Sequence, residues 1–245
     1  MSTHNTVGAP SAQSGWWNAH ARTIALCAVV LSVLVASGYA VVVGDTMHYA
    51  DEWEYLRLTE SLAGGSGYEF EGQKTAYRPP GLPLLLTPIY LLTGGGILAL
   101  QLVGIAALAA SAGFAYLLGR RVHSPGAGAL AAIGVGCYPL FLYTATTLYP
   151  QIPAMALLLG FIEASLRVAD TESVVRWKWT LAAGLFGGFL VLTLPTFAFS
   201  IPPILVWIGW HRGAGARTAL CRAVAVVLAL SILIPGVWTV RNAFT

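Results

Sequence analysis

Charge is what this sequence has least of. Asp, Glu, Lys and Arg make up 9% of its 245 residues, where an ordinary soluble domain carries about 25%. So few charges cannot cover a water-soluble fold of this size, and 57% hydrophobic residues exclude a disordered chain. The mean hydropathy of +0.72 points instead to a multi-pass membrane protein. Cysteine is scarce as well. Cys27, Cys137 and Cys221 all fall in or beside apolar runs, which leaves neither a disulfide framework nor zinc spacing. Lysine is nearly missing, at two residues against eleven arginines, and these bases form no groove-sized patch, so nucleic acid is not an expected partner. No Walker loop, His-Glu-x-x-His, Cys-x-x-Cys or Gly-x-Ser-x-Gly pattern occurs.

What the chain does have is apolar runs near the roughly 20 residues that cross a bilayer. They predict seven spans, at 24–43, 97–119, 127–143, 152–168, 179–194, 197–210 and 223–240. The fold class expected is therefore all-α and polytopic. The first run could also be read as a cleavable leader, since Gly38-Tyr39-Ala40 has small residues at suitable spacing; its length and lone nearby Arg22 favour a span. The fifth and sixth runs, separated by Pro195, form either a tight hairpin or one broken helix. An eighth apolar piece, 81–93, is too short to span and suits an interfacial or re-entrant helix. Gly94-Gly95-Gly96 would joint it to the second span.

Basic residues orient this arrangement. With the N-terminus cytoplasmic and 81–93 kept on the far side, Arg22, Arg120, Arg121, Arg167, Arg176, Lys178, Arg212, Arg217 and Arg222 all face the cytoplasm. Arg57, Lys74, Arg78 and Arg241 face outward. Residues 1–23 are then a cytoplasmic tail anchored by Trp16-Trp17, and 24–245 a single membrane module in the plasma (inner) membrane. His123 and His211 sit among loop arginines. Glu163, inside the fourth span, is four residues from Arg167 and is read as an i,i+4 pair snorkelling to the interface. Seven of the ten acids crowd into the first outer loop, 44–80, and a loop that gathers the carboxylates is where the chemistry is expected.

That loop begins with an amphipathic segment, apolar at Trp53, Leu56, Tyr55, Leu58 and Leu62 and ended by Gly64-Gly65. Asp51 is placed to cap it, with Glu54 completing a capping-box-like pair. Equally, Asp51 is a carboxylate at the membrane surface able to take a proton from an acceptor hydroxyl or amine. Arg78, before Pro79-Pro80, either snorkels to headgroups or clamps a phosphate bidentately.

Asp51-Glu52 followed by Tyr55, then Gly65-x-Gly67-Tyr68, then Arg78-Pro79-Pro80-Gly81-Leu82-Pro83-Leu84, resembles the first outer loop of the GT-C glycosyltransferases. More narrowly it is similar to the protein O-mannosyltransferase and aminoarabinose-transferase-like superfamily. Leu118-Gly119-Arg120-Arg121, the Tyr149-Pro150 turn and Trp238-Thr239-Val240-Arg241-Asn242 follow in the same order. The resemblance implies a membrane enzyme that transfers a sugar from a polyprenyl-phosphate carrier at the outer face, by inverting displacement. It implies that Asp51 is catalytic, Glu52 its companion acid, and Arg78 the donor-phosphate ligand. His48, Tyr55, Tyr77, Tyr149 and Gln151 are candidate substrate-lining side chains. Relatives often carry a glutamate where this chain has Gln151, which cannot act as a base or strong metal ligand. A divalent cation is compatible with such a site but draws no support from these residues, and no metal ligands are assigned.

Relatives usually continue for several more spans. The chain is thus expected to be the N-terminal seven-span module, whether as a minimal enzyme, one half of a split enzyme or a fragment, and a second subunit supplying further spans is a candidate partner. The acceptor, whether lipid, glycan or protein, is not named by the residues. Two rival readings are a non-catalytic assembly subunit and a small lipid or solute transporter. The transporter has only Pro195, Pro202-Pro203 and Glu163 in its favour.

Overall fold

The computed structural model describes residues 12–170, 175–210 and 217–244. Ten α-helices appear among them. In order they are α1 (Ala12–Val43), α2 (Ala50–Ala63), α3 (Gly81–Thr93), α4 (Ile97–Val122), α5 (Pro125–Gly136), α6 (Pro139–Ala145), α7 (Gln151–Ala169), α8 (Trp177–Thr193), α9 (Ile201–Trp210) and α10 (Arg217–Asn242). A hairpin of two short strands, β1 (Glu69–Phe70) and β2 (Gln73–Lys74), lies between α2 and α3. His211 and Arg212 lie outside the described residues, as do the first eleven residues of the predicted tail; α1 already includes the rest of that tail.

Among the described residues, α1, α4, α7 and α10 are long and apolar enough to cross a membrane. The third expected span is not one straight helix. α5 and α6 meet at a 57° bend, because Pro139 cannot continue the ladder of α5 and pushes Tyr138 into extended backbone (ψ 120°). Counted as one, this pair makes a fifth span. The expected number of seven is not reached on length: α8 has 17 residues, and Pro195–Gly209 is shorter than a span. Between those two, Leu194 is extended and Pro195–Ser200 forms a 3-10 turn.

Small residues let the helices approach. A Cβ on Gly188 would meet the Ile234 side chain at 2.6 Å, and one on Gly184 would press equally on Leu230. This is the small-xxx-small packing of membrane helices, here between α8 and α10. Phe161, Ala164, Ala183, Leu205, Ala223 and Val227 close the core where α7, α8, α9 and α10 meet.

One end of the bundle is basic. Arg121 pairs with Asp170 at 2.7 Å and with Glu163 at 3.7 Å, and Arg167 pairs with Glu163 at 2.7 Å while lying over the Trp179 ring. The Glu163–Arg167 pair forms as its spacing predicts. Its carboxylate does not snorkel, however: Glu163 is 2% exposed and joins α7 to α4. The opposite end holds the 44–80 loop. There Tyr55 and Leu56 of α2, Leu82 and Leu86 of α3, Leu100 of α4 and Leu148 of the α6–α7 turn bury one another, fastening the loop to the helix ends.

Candidate active site

The site begins with how α2 starts. Tyr49 is its N-cap, in extended backbone (φ −129°, ψ 145°). Glu52 Oε1 accepts from the backbone N–H of His48 (2.9 Å) and of Tyr49 (3.2 Å). The cap therefore lies two residues earlier than Asp51, and Glu52 rather than Glu54 closes it. Glu52 Oε2 reaches further, accepting from the backbone N–H of Leu148 at 3.0 Å and tying α2 to the α6–α7 turn. Three N–H bonds offset the desolvation of a carboxylate that is 2% exposed.

This register has a consequence for the other two acids. Asp51 and Glu54 are one helical turn apart on a different face, and both meet Arg78. Arg78 Nη2 donates to Asp51 Oδ1 and Nε donates to Glu54 Oε2, each at 2.6 Å. The guanidinium lies 5.5 Å from the Tyr55 ring centre and 5.0 Å from that of Tyr77. Glu54 foremost, with Asp51, holds the Arg78 pKa above its ordinary range, so the cation persists at any working pH. Burial raises the Tyr55 phenol in turn, so it too stays protonated.

Arg78 is positioned from behind. The Tyr68 hydroxyl donates to the carbonyls of Arg78 (3.0 Å) and Pro79 (3.2 Å). Pro80 then caps α3, and Gly81 sits so close to Thr193 that a Cβ would meet its backbone at 2.5 Å. Trp238 of α10 packs edge-on against Tyr68 at 4.6 Å. Arg241 donates to the carbonyls of Thr75 (2.6 Å) and Tyr68 (2.9 Å). Burial pushes the Tyr68 phenol up, which keeps its hydroxyl a donor.

Beside this cluster opens an apolar cavity of about 560 Å³. Leu140, Phe141, Met155, Leu158 and Phe197 line its length, and Tyr49, Tyr143, Tyr149 and Gln151, with Thr144 and Thr147, supply its polar groups. Burial and then the neighbouring Asp51 carboxylate raise the Tyr149 phenol, so Tyr149 belongs to both the cavity and the ion cluster. The Tyr49 and Tyr143 hydroxyls are 2.9 Å apart, and His48 stacks on Tyr143 at 6.4 Å.

Of the residues expected at the site, Asp51, Arg78, Tyr55, Tyr77 and Tyr149 come together. Gln151 lines the cavity and His48 stands behind it. Glu52 does not join Asp51 at the cation; it is buried in the backbone clip. The acid that shares Arg78 is Glu54, expected as a capping partner; its i+3 spacing from Asp51 is the signal in the sequence that puts the two on one face. Arg241 stands in the sequence only as an outward-facing base within the Trp238–Asn242 motif, and its contact with the loop, like that of Tyr143, is made by helices distant in sequence. Among the described residues no three His, Cys, Asp or Glu side chains gather to hold a metal ion.

Known proteins agree with this architecture. The sequence model of the dolichyl-phosphate-mannose-protein mannosyltransferase family matches residues 77–238, a stretch that includes Arg78 and starts after Asp51. The crystal structure of ArnT from Cupriavidus metallidurans in the apo state is similar over 95% of this chain, with a TM-score of 0.66 and 17% identity. The same protein bound to undecaprenyl phosphate gives 0.63 and 18%. At these identities the likeness is one of fold, and the chain spans 43% of the length of ArnT. No curated protein matches the chain. With more than half its residues matched and a helical bundle of the ArnT kind, the chain belongs to the dolichyl-phosphate-mannose-protein mannosyltransferase family of GT-C membrane glycosyltransferases.

Proposed function

We propose that the protein transfers a sugar from a polyprenyl-phosphate carrier to an acceptor at the outer face of the membrane. One observation carries this reading: a guanidinium paired with Asp51 and Glu54 stands at the first turn of α2, whose cap residue Tyr49 lines an apolar cavity of about 560 Å³. The prenyl chain would lie along Leu140, Met155 and Leu158, with its phosphate against Arg78. The family match and the undecaprenyl phosphate bound to ArnT support a polyprenyl-linked donor.

The chemistry follows from charge. The acceptor oxygen attacks the anomeric carbon from the face opposite the phosphate, so the configuration inverts. The new C–O bond forms as the bond to the phosphate oxygen breaks, and the electron pair leaves with the carrier phosphate. Arg78, held in place by its two carboxylate partners, stabilises the charge that grows there. The acceptor proton passes to Asp51, whose place beside Arg78 and Tyr149 aims its carboxylate. Glu52 has no direct part; its backbone clip fixes the turn of α2 that presents Asp51. Tyr55 and Tyr77 wall the cation, and Gln151 and His48 stand within the reach of a bound sugar.

The test is donor turnover in membranes holding the protein, with a panel of polyprenyl-phosphate sugars. Released carrier phosphate is compared for wild type, Asp51→Asn and Arg78→Ala. Release in the wild type that falls about 10²-fold or more in both variants supports the reading. Polyprenyl phosphate that binds through Arg78 without turnover of any donor would instead make the chain a carrier-binding subunit of a larger enzyme.

A further inference from the structure

The Asp51–Glu54–Arg78 cluster has a second cavity beside it, with more polar walls than the first. The apolar one is reached through Tyr149. The other, of about 600 Å³, is walled by Trp53, Glu54 and Arg57 of α2 and by Phe70 and Glu71 of the hairpin. Glu54 belongs to both structures, since it lines this second cavity while its Oε2 accepts from Arg78.

We infer that the second cavity is the acceptor site and that its ligand is a neutral carbohydrate; the inference rests on the transfer reaction proposed above. Trp53 is 51% exposed on a helix that buries Tyr55, Leu56 and Leu58 on another face. An indole left open, with Phe70 near it, offers flat apolar walls for the C–H face of a pyranose. Glu54 and Glu71 only accept hydrogen bonds, and a sugar presents many O–H donors. The mixture of apolar wall and a few polar groups is that of a small-molecule site.

Charge narrows the class. Arg57 lines the cavity as well, paired with Glu60 at 2.9 Å just as Glu54 is paired with Arg78; with Asp51 and Glu71 the set holds four carboxylates against two cations, a net charge of −2. A phosphorylated or carboxylated acceptor would meet repulsion there. A peptide acceptor fits poorly for another reason. Strands of two residues are too short an edge to hold an extended main chain, and the flanking carbonyls of Tyr68 and Thr75 are taken by Arg241. Position agrees with chemistry: Asp51 is one helical turn from Glu54, about 5–6 Å between Cβ atoms, so a hydroxyl held at the Glu54 end of the cavity is near the carboxylate that takes its proton.

The experiment uses the donor that turns over in the panel and varies the acceptor. Methyl glycosides of neutral hexoses, a methyl glucuronide and Ser/Thr peptides are compared, with KM for acceptor and donor measured separately. Neutral glycosides are expected to be glycosylated and the glucuronide refused. Trp53→Ala is expected to raise the glycoside KM about tenfold with the donor KM unchanged, and Trp53→Phe to restore most of it. Transfer to the peptides alone, or a Trp53→Ala variant that leaves the glycoside KM unmoved, overturns the inference. Should no donor turn over, the transfer reading fails first and separately. Tryptophan fluorescence titrated with a neutral methyl glycoside then decides the site: a saturable change lost in Trp53→Phe supports it, and identical curves overturn it.

Discussion

Arg78 holds two carboxylates on separate nitrogens, so the trio carries a net charge of −1. A phosphate approaching Arg78 must therefore compete with its own active-site acids. Asp51 is the more exposed partner, at 38% against 30% for Glu54, and is bonded to a terminal nitrogen. Asp51→Asn makes the trio neutral while removing the base. Polyprenyl phosphate should then bind several-fold more tightly, as an equilibrium titration would show, while turnover falls by roughly 10²–10⁴. Weaker phosphate binding in this variant would mean that Asp51 aims Arg78 rather than competing for it. At this scale the sequence was half legible. Asp51 and Arg78 stand out through the resemblance of the Asp-Glu and Arg-Pro-Pro-Gly motifs, since spacing alone leaves a helix cap and a snorkelling cation as open readings. The partnership of Glu54 was hidden by the assumption that Asp51 caps the helix. Once the cap moves to Tyr49, Glu52 turns inward and Glu54 turns to Arg78.

Glu52 shows how an element carries a site. Its carboxylate caps α2 and bonds Leu148 across the gap to the α6–α7 turn. Glu52→Ala leaves these backbone donors without a partner, a loss of about 1–3 kcal/mol that should appear as a lower Tm in a detergent melt. Glu52→Gln keeps acceptor capacity for part of the clip and should lose less. A second test lies between α8 and α10: Gly188→Leu forces a branched side chain against Ile234 and should cost about 1–3 kcal/mol without touching the site. The long helices were legible because hydropathy depends on composition alone. The bend between α5 and α6 was missed because a hydropathy run does not register a single residue like Pro139. The capping register was missed because Tyr49 has no capping side chain of the usual kind; the bond comes from a glutamate three residues on.

At the scale of the whole molecule, the two ends of the bundle differ in charge. Arg121 and Arg167 with their partners mark one end, and Lys178 stands by Trp179 there. The acid-rich 44–80 loop marks the other, closed by Arg241 from the far end of the chain. Neither the order of residues nor hydropathy could show that Trp238 and Arg241 reach back to Tyr68, since that contact needs the helices folded. The positive-inside rule puts the arginine-rich end in the cytoplasm, so the loop and its cavities would work at the outer face. Impermeant maleimide labelling decides this. With Cys27, Cys137 and Cys221 replaced, a cysteine at exposed Ser66 should react in intact cells, whereas one at exposed His123 should react only after permeabilisation. The reverse pattern would turn the site toward the cytoplasm, and the carrier-linked sugar would then have to be presented on the inner leaflet. Since the prenyl chain cannot leave the bilayer, the leaflet that holds the loop is the leaflet that must hold the donor.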